Sequence, residues 1–459
     1  MSETQEEIVP AEVRSREKYR ASQTFLIKSS PPRVIILRIV SVALVALLFF
    51  VTIPALTLAG VIPDYKLNFL GKYLCFALVA LGIDLIWGYT GLLSLCQALF
   101  FCLGGYAMAM HLSVKQGWGD VRPEYNDIPQ FMFFNNVRAL PWFWKPFVSF
   151  PFAIAAGLIL PGLVACVFGF FILRSRVRGV YFSIITQAVA WGSVLLIQRN
   201  EMLLGGTNGL TNFYKGFNEK RGWIVGLYLL TASMVVAGYL VCWLITRSRL
   251  GRVLVAIRDR ETRLYFAGYK PYAFKVFAFT VGAMLAGLGG MLYSPQVGII
   301  TPQNMSVETS ILMVIWVALG GRGKLWGAIF GALLTNVTLS SLSSDLPGLW
   351  LFVQGGMFLL VVLLFPDGFV GLWSAAERQL ASGVSWLRAL WTILPLVLVG
   401  LFVMAESLTL MPRFLRASAF RSEKIGDLEW KYVVLIVLLA IVGGVQVLLK
   451  RRDEAGRLK

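Results

Sequence analysis

The sequence predicts an all-α integral membrane protein, a polytopic helical bundle of about ten core spanning or re-entrant segments plus about two extra C-terminal spans. Three observations predict this class. Of the 459 residues, 57% are hydrophobic and 14% are charged, whereas soluble domains have about 45–50% and about 25%. The mean hydropathy is +0.72. Long apolar runs recur along the chain, and hydrocarbon requires roughly 20 such residues per spanning helix.

The candidate spans are apolar runs separated by short polar connections, at 34–60, 67–88, 92–112, 147–173, 179–199, 223–246, 273–295, 305–320, 325–342, 347–366, 388–411 and 431–450. The polar leader 1–33 precedes a run that is too long for a signal-peptide core, so we expect an uncleaved first helix. Gly104-Gly105 interrupts one segment and Gly320-Gly321 ends another. Such broken helices are often where transporters place substrate contacts.

Basic residues indicate the orientation, because short loops rich in Lys and Arg stay cytoplasmic. The basic clusters lie in the leader and at 174–178, 247–275, 322–324 and 450–459, and the predicted spans place all of them on one side. Both termini are therefore expected in the cytoplasm. The connection 412–430 also carries basic residues, yet the predicted spans place it on the extracytoplasmic side. Either the last two spans are drawn wrongly or this loop is a tolerated exception.

The longest outside connection is 113–146, which is expected to be extracytoplasmic. It contains Trp118, Trp142, Phe143 and Trp144, and aromatic residues are enriched where a membrane meets water. We expect this loop to lie against the membrane surface.

Several function classes are disfavoured by composition. The net charge of +18 comes from short segments between apolar runs, so it indicates topology rather than a nucleic-acid surface. The five cysteines lie in apolar stretches without metal-ligand spacing, and His111 is the only histidine. Paired catalytic acids, a nucleophile elbow and a Walker motif are absent from the sequence. We therefore expect no catalytic residue, no metal and no cofactor in this chain.

The connection 247–272 carries the pattern of an amphipathic surface helix. Leu250, Leu254 and Ile257 recur at three- and four-residue spacing among charged residues, and Pro271 opens the next span. A basic tether to anionic lipid and a docking helix for a cytoplasmic partner both fit this pattern.

Polar residues within the spans have two possible uses. Ser94 and Gln97, and likewise Ser183, Thr186 and Gln187 on one helix face, suit either a polar path or hydrogen bonds between packed helices. Asp84 is the one clear intramembrane acid, and is either a functional group or an acid near the cytoplasmic end of its helix.

A glycine-rich loop follows span 179–199 and includes Gly206, Thr207 and Asn208. Its glycines free the backbone to turn tightly and expose N–H and C=O groups. The loop suits a small polar solute, or is merely a turn.

Six stretches together resemble the permease subunits of the branched-chain amino-acid (LivM-like) family of ABC importers, and most closely the second permease of urea transporters. The carrying residues are GYTGLLSLCQALFFCLGGYAM (88–108), RSRVRGVYFSIITQAVA (174–190), RNEMLLGGTNGLTNF (199–213), RSRLGRVLVAIRDRETRLYFAGY (247–269) and AGLGGMLYSPQVGIITP (286–302) with VIWVALGGRGKLWGAIFGA (314–332). The resemblance covers most of residues 67–372. It departs from the family pattern at Cys96-Gln97, where Gly followed by His or Gln is usual.

The resemblance implies a transport subunit in a bacterial inner membrane. Its implied partners are a sister permease, two cytoplasmic ATPases that hydrolyse ATP, an extracytoplasmic binding protein, a small polar solute and membrane lipid, without nucleic acid. The implied ATPase-coupling residues are Gly251, Arg252, Ala256, Ile257, Arg258, Asp259 and Glu261. The expected substrate-path residues are Ser94, Gln97, Thr186, Gln187, Gly206, Thr207 and Asn208.

Urea, or a short-chain amide, is the expected solute, since few intramembrane charges suit the carboxylate and ammonium of an amino acid. A branched-chain amino acid is the first alternative, and a self-powered carrier or channel the second. A membrane enzyme for lipid substrates would need paired acids or histidines at the interface. The expected division is leader 1–33, permease domain 34–372 and an extension 373–459 of unassigned role.

Overall fold

The computed structural model describes residues 44–116, 128–129, 131–132, 137, 139–175, 177, 179–211, 213, 221–345, 355, 368, 370–371, 373, 418–420 and 428–429. The leader, most of the predicted spans 347–366, 388–411 and 431–450, and Trp118 lie outside the described residues. The division into leader, permease domain and extension therefore stays a prediction.

The described chain is helical almost throughout. Its longer helices are α1 (Leu44–Leu58), α2 (Asp64–Gly88), α3 (Gln97–Gln116), α4 (Phe150–Arg174), α5 (Val180–Ile197), α6 (Arg221–Arg247), α7 (Arg249–Phe266), α8 (Pro271–Val297), α9 (Val307–Gly320) and α10 (Leu325–Asp345). Short 3-10 turns occupy Lys145–Val148, Asn200–Met202, Gly206–Asn208 and Pro302–Met305.

Four short strands make two small antiparallel pairs. The strand β1 (Leu210–Thr211) pairs with β2 (Ile299–Ile300), and β3 (Ser418–Phe420) pairs with β4 (Leu428–Glu429). The second pair lies in the connection 412–430, whose side of the membrane stays a prediction.

The predicted fold class is confirmed. Within the described residues, 6 helices are long and apolar enough to cross a membrane, and α9 with α10 makes a seventh if the bent pair is one span. These two helices meet at 119°, so the expected interruption at Gly320-Gly321 is present. With 14 residues, α9 is roughly 21 Å long, too short to cross the bilayer core alone.

The helix α8 lies at the centre of the bundle, packed against α2, α3 and α4. Small residues allow this, because a Cβ on Gly104 of α3 would overlap the backbone of Gly287 on α8. Between apolar helices in lipid, such close contact stabilises by dispersion rather than by the hydrophobic effect. In the outer helices α4 and α5, only 33% and 28% of the residues of the apolar stretch are buried, and side chains such as Phe171 and Tyr181 are exposed on them.

The loop expected at 113–146 begins later than predicted, because α3 continues to Gln116. Trp142 is 82% exposed, as an interfacial aromatic would be, but Trp144 is 0% exposed and its ring lies 5.9 Å from that of Phe131. The prediction that Trp144 belongs to a surface belt is therefore wrong. Its indole packs inside the fold, where ring-to-ring contact replaces the interfacial environment.

Two ends of the bundle can be distinguished by their contacts. The end that carries α7 also holds the last turn of α2, the C-termini of α4 and α6, the start of α8 and the turn 321–324. The ring of Phe170 near the end of α4 lies 6.4 Å from that of Tyr272 in the first turn of α8. We call this the α7 end. At the opposite end, Arg221 pairs with Asp64 at 3.0 Å.

Candidate functional site

Segment 91–96 is not helical, although the sequence predicted a helix from Leu92. Gly91 turns the chain out of α2 with a φ of +77°, a left-handed conformation that favours glycine. The backbone groups that follow have no helical partners, so a chain within an apolar bundle must bond them elsewhere. The helix α3 begins only at Gln97.

Hydroxyl groups of two neighbouring helices supply those bonds. Ser183 donates to the carbonyl oxygen of Leu93 at 2.8 Å, and the Thr186 hydroxyl on the same helix, α5, accepts from the Leu95 N–H at 3.0 Å. From α9, the Ser310 hydroxyl accepts from the Ala98 N–H at 3.2 Å. These side chains satisfy backbone groups that have no helical partner, and they thereby stabilise the break in the predicted helix.

The predicted path residues on α5 and in segment 91–96 have different environments. The Thr186 hydroxyl is fully buried and also donates to the Ser183 carbonyl at 2.8 Å, so its donor is already used in packing. Ser94 is buried with its hydroxyl 3.4 Å from the Cys96 sulfur. Gln187 is half-buried on α5.

Gln97 differs from these residues because nothing in the described part of the chain bonds its side chain. It is 1% exposed, and neither its amide nitrogen nor its amide oxygen has a hydrogen-bond partner there. A buried donor or acceptor left unpaired costs about 1–3 kcal/mol. The first residue of α3 thus presents an amide whose donors and acceptor are both unused.

The glycine-rich loop lies further toward the opposite end. Gly206 is buried, whereas Thr207 and Asn208 are exposed. The loop leads into β1, whose partner residue Ile300 faces Gly105 of α3. Gly105 is roughly 12 Å along the helix from Gln97, at about 1.5 Å per residue. The structure therefore does not bring Asn208 and Gln97 together.

The predicted amphipathic helix is present as α7. Ser248 caps it by accepting a hydrogen bond from the Leu250 N–H at 3.1 Å. Its buried residues are Gly251, Leu254 and Ile257. The expected place of Leu250 in the buried stripe is wrong, since Leu250 is 38% exposed. Gly251 takes that place because it lies against the backbone of Thr246, where a side chain has no room.

The predicted coupling residues of α7 divide between its two faces. Arg252 and Asp259 are exposed, the Arg258 side chain is 34% exposed, Ala256 and Glu261 are half-buried, and Gly251 and Ile257 are buried. Arg260, with φ −154° and ψ 79°, interrupts the helix between Asp259 and Glu261.

Two charged contacts hold α7 against the bundle. Arg258 donates from a terminal guanidinium nitrogen to the Gly88 carbonyl oxygen at 2.7 Å, while its Nε contacts the Asp259 carboxylate at 3.1 Å. The Lys275 ammonium on α8 donates to the Glu261 carboxylate at 2.7 Å. Lys275 has a side-chain exposure of 6%, so this pair is shielded from water.

Asp84 lies in the π-helical last turn of α2, Asp84–Gly88, at the α7 end. It is fully buried, and one carboxylate oxygen accepts from the Gly323 N–H at 2.6 Å. The acid therefore joins α2 to the turn between α9 and α10. Asp84 thus lies near the end of its helix, as one sequence alternative expected, but its carboxylate is buried against Gly323 instead of reaching outward, a contact that no sequence pattern predicted.

At the α7 end, the last turn of α2 contacts the turn 321–324, although the two are distant in sequence. The Arg322 guanidinium carbon lies 5.3 Å from the Trp87 ring centroid, beside the Asp84 contact. Among the described residues, no group of three or more His, Cys, Asp or Glu side chains is arranged to hold a metal ion.

Comparison with known proteins gives one family and several relatives. The family model described as branched-chain amino acid transport system / permease component matches residues 65–362. The LivM permease protein of the high-affinity branched-chain amino acid transport system of Escherichia coli K12 is 26% identical over 335 residues, 68% of this chain and 71% of that protein.

Other relatives are similar over shorter lengths. LivM of Salmonella typhimurium LT2 is 26% identical over 333 residues, 67% of this chain and 70% of that protein. The autoinducer 2 import permease LsrC of Yersinia pestis Pestoides F is 27% identical over 242 residues, 50% of this chain and 66% of that protein. No solved structure matches the chain.

The family match covers more than half of the chain and includes the helices α2 to α10. The broken segment before Gln97, the surface helix α7 and the bent pair α9–α10 all lie inside it. The chain belongs to the branched-chain amino acid permease family of ABC transporters, as a multi-pass membrane transport subunit rather than an enzyme.

Proposed function

We propose that the chain forms one half of the translocation path of an ABC importer for urea or a short-chain amide, the other half being a sister permease. Two ATPases and an extracytoplasmic binding protein complete the transporter. Helix α7 contacts an ATPase through exposed residues that include Arg252 and Asp259. The α7 end then lies in the cytoplasm, as do both termini, because the basic residues of the chain collect there.

The observation that supports this solute is the buried amide of Gln97, whose nitrogen and oxygen both lack partners among the described residues. Urea is planar and neutral, with a carbonyl acceptor and N–H donors on each side. A side-chain amide offers the complementary set, and it carries no charge that would have to be matched. Its position at a break in the helical bundle is typical of transporter binding sites.

Charged side chains near the ends of the spans are engaged elsewhere. Asp84 bonds the turn at Gly323, and Lys275 pairs with Glu261. A zwitterionic amino acid would need compensating charge or several backbone dipoles within the bundle. Because Asp84 and Lys275 are already bonded within the protein, they do not compensate the charges of a solute, and this favours a neutral one.

Branched-chain amino acids are the second candidate, for two reasons. The LivM relatives belong to a high-affinity branched-chain amino acid transport system. Lys72 also lies within α2, with its ammonium 5.9 Å from the Phe76 ring centroid, and supplies a cation suited to a carboxylate.

Uptake by the complete transporter distinguishes these candidates. Cells that carry both permeases, the ATPases and the binding protein are given labelled urea, with unlabelled leucine or acetamide as competitor. We expect uptake that acetamide reduces and leucine does not, and that stops when the ATPases cannot hydrolyse ATP. Labelled leucine uptake blocked by valine but not by urea would overturn the solute assignment. Uptake that continues without the ATPases would overturn the importer mechanism.

A further inference from the structure

The last turn of α2 is where α7, the α9–α10 turn and segment 91–96 meet. Arg258 of α7 bonds the Gly88 carbonyl at 2.7 Å, and Asp84 bonds the Gly323 N–H at 2.6 Å. The same turn continues through Gly91 into the non-helical segment that precedes Gln97. These contacts join one short turn to two helix breaks, the one before Gln97 and the one between α9 and α10.

The inward direction of Arg258 is the first step of the inference. Its side chain is only 34% exposed, and its Cγ packs against Gly91, 3.2 Å from where a Cβ on that glycine would stand. Its terminal nitrogen also lies 3.6 Å from where a Cβ of Gly323 would stand. The guanidinium therefore lies between the end of α2 and the turn 321–324.

The second step is the conformation of the turn itself. Asp84–Gly88 is π-helical, and π-helical turns are uncommon and occur often at functional sites. Gly88 has no room for a side chain, because a Cβ there would overlap the Asp84 carboxylate. A tightly packed turn bonded on two sides transmits displacement, since packed elements shift between discrete arrangements rather than deform smoothly.

We propose that Arg258 and Asp84 are positioning residues that connect α7 to the two helix breaks through the last turn of α2. Movement of α7 pulls on Gly88 through Arg258, and the turn carries that movement through Asp84 to Gly323 and through Gly91 to the segment before Gln97. The inference rests on the proposed function, because it needs an ATPase that moves α7. It differs from a docking role, in which Arg258 would point outward at the ATPase.

The test measures labelled solute transported per ATP hydrolysed by the complete transporter in proteoliposomes, using urea, or leucine if the uptake experiment identifies leucine. Co-purification of the ATPases with the permeases is measured in parallel. The variants are Arg258→Met and Asp84→Leu, which remove the bonds, and Arg258→Lys and Asp84→Asn, which keep a donor and an acceptor. Arg263→Met is the control, since Arg263 is an exposed arginine on the same helix.

We expect Arg258→Met and Asp84→Leu each to lower the transport ratio about tenfold, the effect of losing one charge-assisted hydrogen bond, with the ATPases still bound. The conservative variants retain most of the ratio, and Arg263→Met leaves it within about twofold. The double variant is no worse than either single variant, because both break one connection.

Three results would overturn the inference. These are an unchanged ratio in Asp84→Leu, loss of the ATPases from the Arg258→Met complex, and additive effects in the double variant. If Asp84→Leu does not assemble, Arg258→Met tests the inference by itself, because Arg258 is partly exposed. A normal ratio of solute transported per ATP in that variant would contradict the proposed connection. ATP-dependent uptake by the unaltered transporter persists in all these cases, so failure of the inference is distinct from failure of the proposed function.

Discussion

The hydroxyl of Ser183 donates a hydrogen bond to the backbone carbonyl of Leu93 at 2.8 Å, although the two residues are 90 positions apart. This bond and the neighbouring bond between Thr186 and Leu95 hold a non-helical segment inside a helical membrane protein. Such a segment persists only where side chains satisfy its backbone groups. The contacts of α5 thus support the helix break next to Gln97.

Thr186→Val is expected to destabilise the permease by about 1–3 kcal/mol, because the Leu95 N–H loses its buried acceptor. Thr186→Ser keeps the hydroxyl and should stay close to the unaltered protein. The measurement is the thermal unfolding midpoint of the purified complex, with solute uptake measured alongside. A changed KM with an unchanged midpoint would instead indicate that Thr186 contacts the solute.

Gln97→Met is expected to raise the KM for urea about tenfold and to raise the unfolding midpoint slightly. The amide is lost to the solute, while a buried pair of unsatisfied polar atoms is replaced by an apolar group of similar size. Uptake kinetics and thermal unfolding of the same preparation measure both effects. Gln303→Met serves as the control, because Gln303 is exposed. A lower midpoint with an unchanged KM would show that the amide has a structural partner.

Gly104→Ala is expected to reduce stability by about 1–3 kcal/mol or to prevent assembly, because its methyl group would overlap the Gly287 backbone and separate α3 from α8. Gly226→Ala on α6 is the matched control, since a Cβ there meets no atom within 4 Å. That change should be neutral or gain up to about 1 kcal/mol of helix propensity. Yield and unfolding midpoint after detergent extraction compare the two, and equal behaviour would argue against this packing.

Lys275→Met is expected to destabilise the protein by about 3 kcal/mol at most, because it leaves the Glu261 carboxylate without its 2.7 Å partner. Glu261 has a side-chain exposure of 19%, and the remaining solvent reduces the cost. The double variant Lys275→Met with Glu261→Met should recover most of the loss. A double-mutant cycle on unfolding midpoints measures the coupling, and a coupling near zero would contradict a stabilising contact between α7 and α8.

Much of the architecture was predictable, because hydropathy and amphipathic spacing are local properties of the chain. The run 223–246 gave α6 and the run 273–295 gave α8, each within a few residues of its observed ends. The helix α7 followed from a charged face and a narrow apolar stripe. The predicted buried stripe was wrong only at Leu250. Gly251 lies on the buried side in its place, because the backbone of Thr246 is too close for a side chain.

The candidate site was less predictable, because a polar residue in a membrane bundle has the same sequence signature whether it packs or binds solute. Ser183 and Thr186 share a helix face with Gln187, but the hydroxyls of Ser183 and Thr186 are hydrogen-bonded to the backbone of segment 91–96. Trp144 belongs to an aromatic cluster in sequence and is nevertheless fully buried. For Ser183 and Thr186 the partner comes from a distant part of the chain.

By itself, therefore, the sequence determined that this protein is a bundle of apolar helices with one amphipathic helix at its surface, since both properties depend on neighbouring residues within one helix. Only the tertiary structure decided where the helices break and what the breaks contact. Asp84 meets Gly323 across 239 positions, and Arg258 meets Gly88 across 170. The side chain that bonds each unpaired backbone group is determined by the packing of helices that are distant in sequence, so local sequence patterns do not predict it.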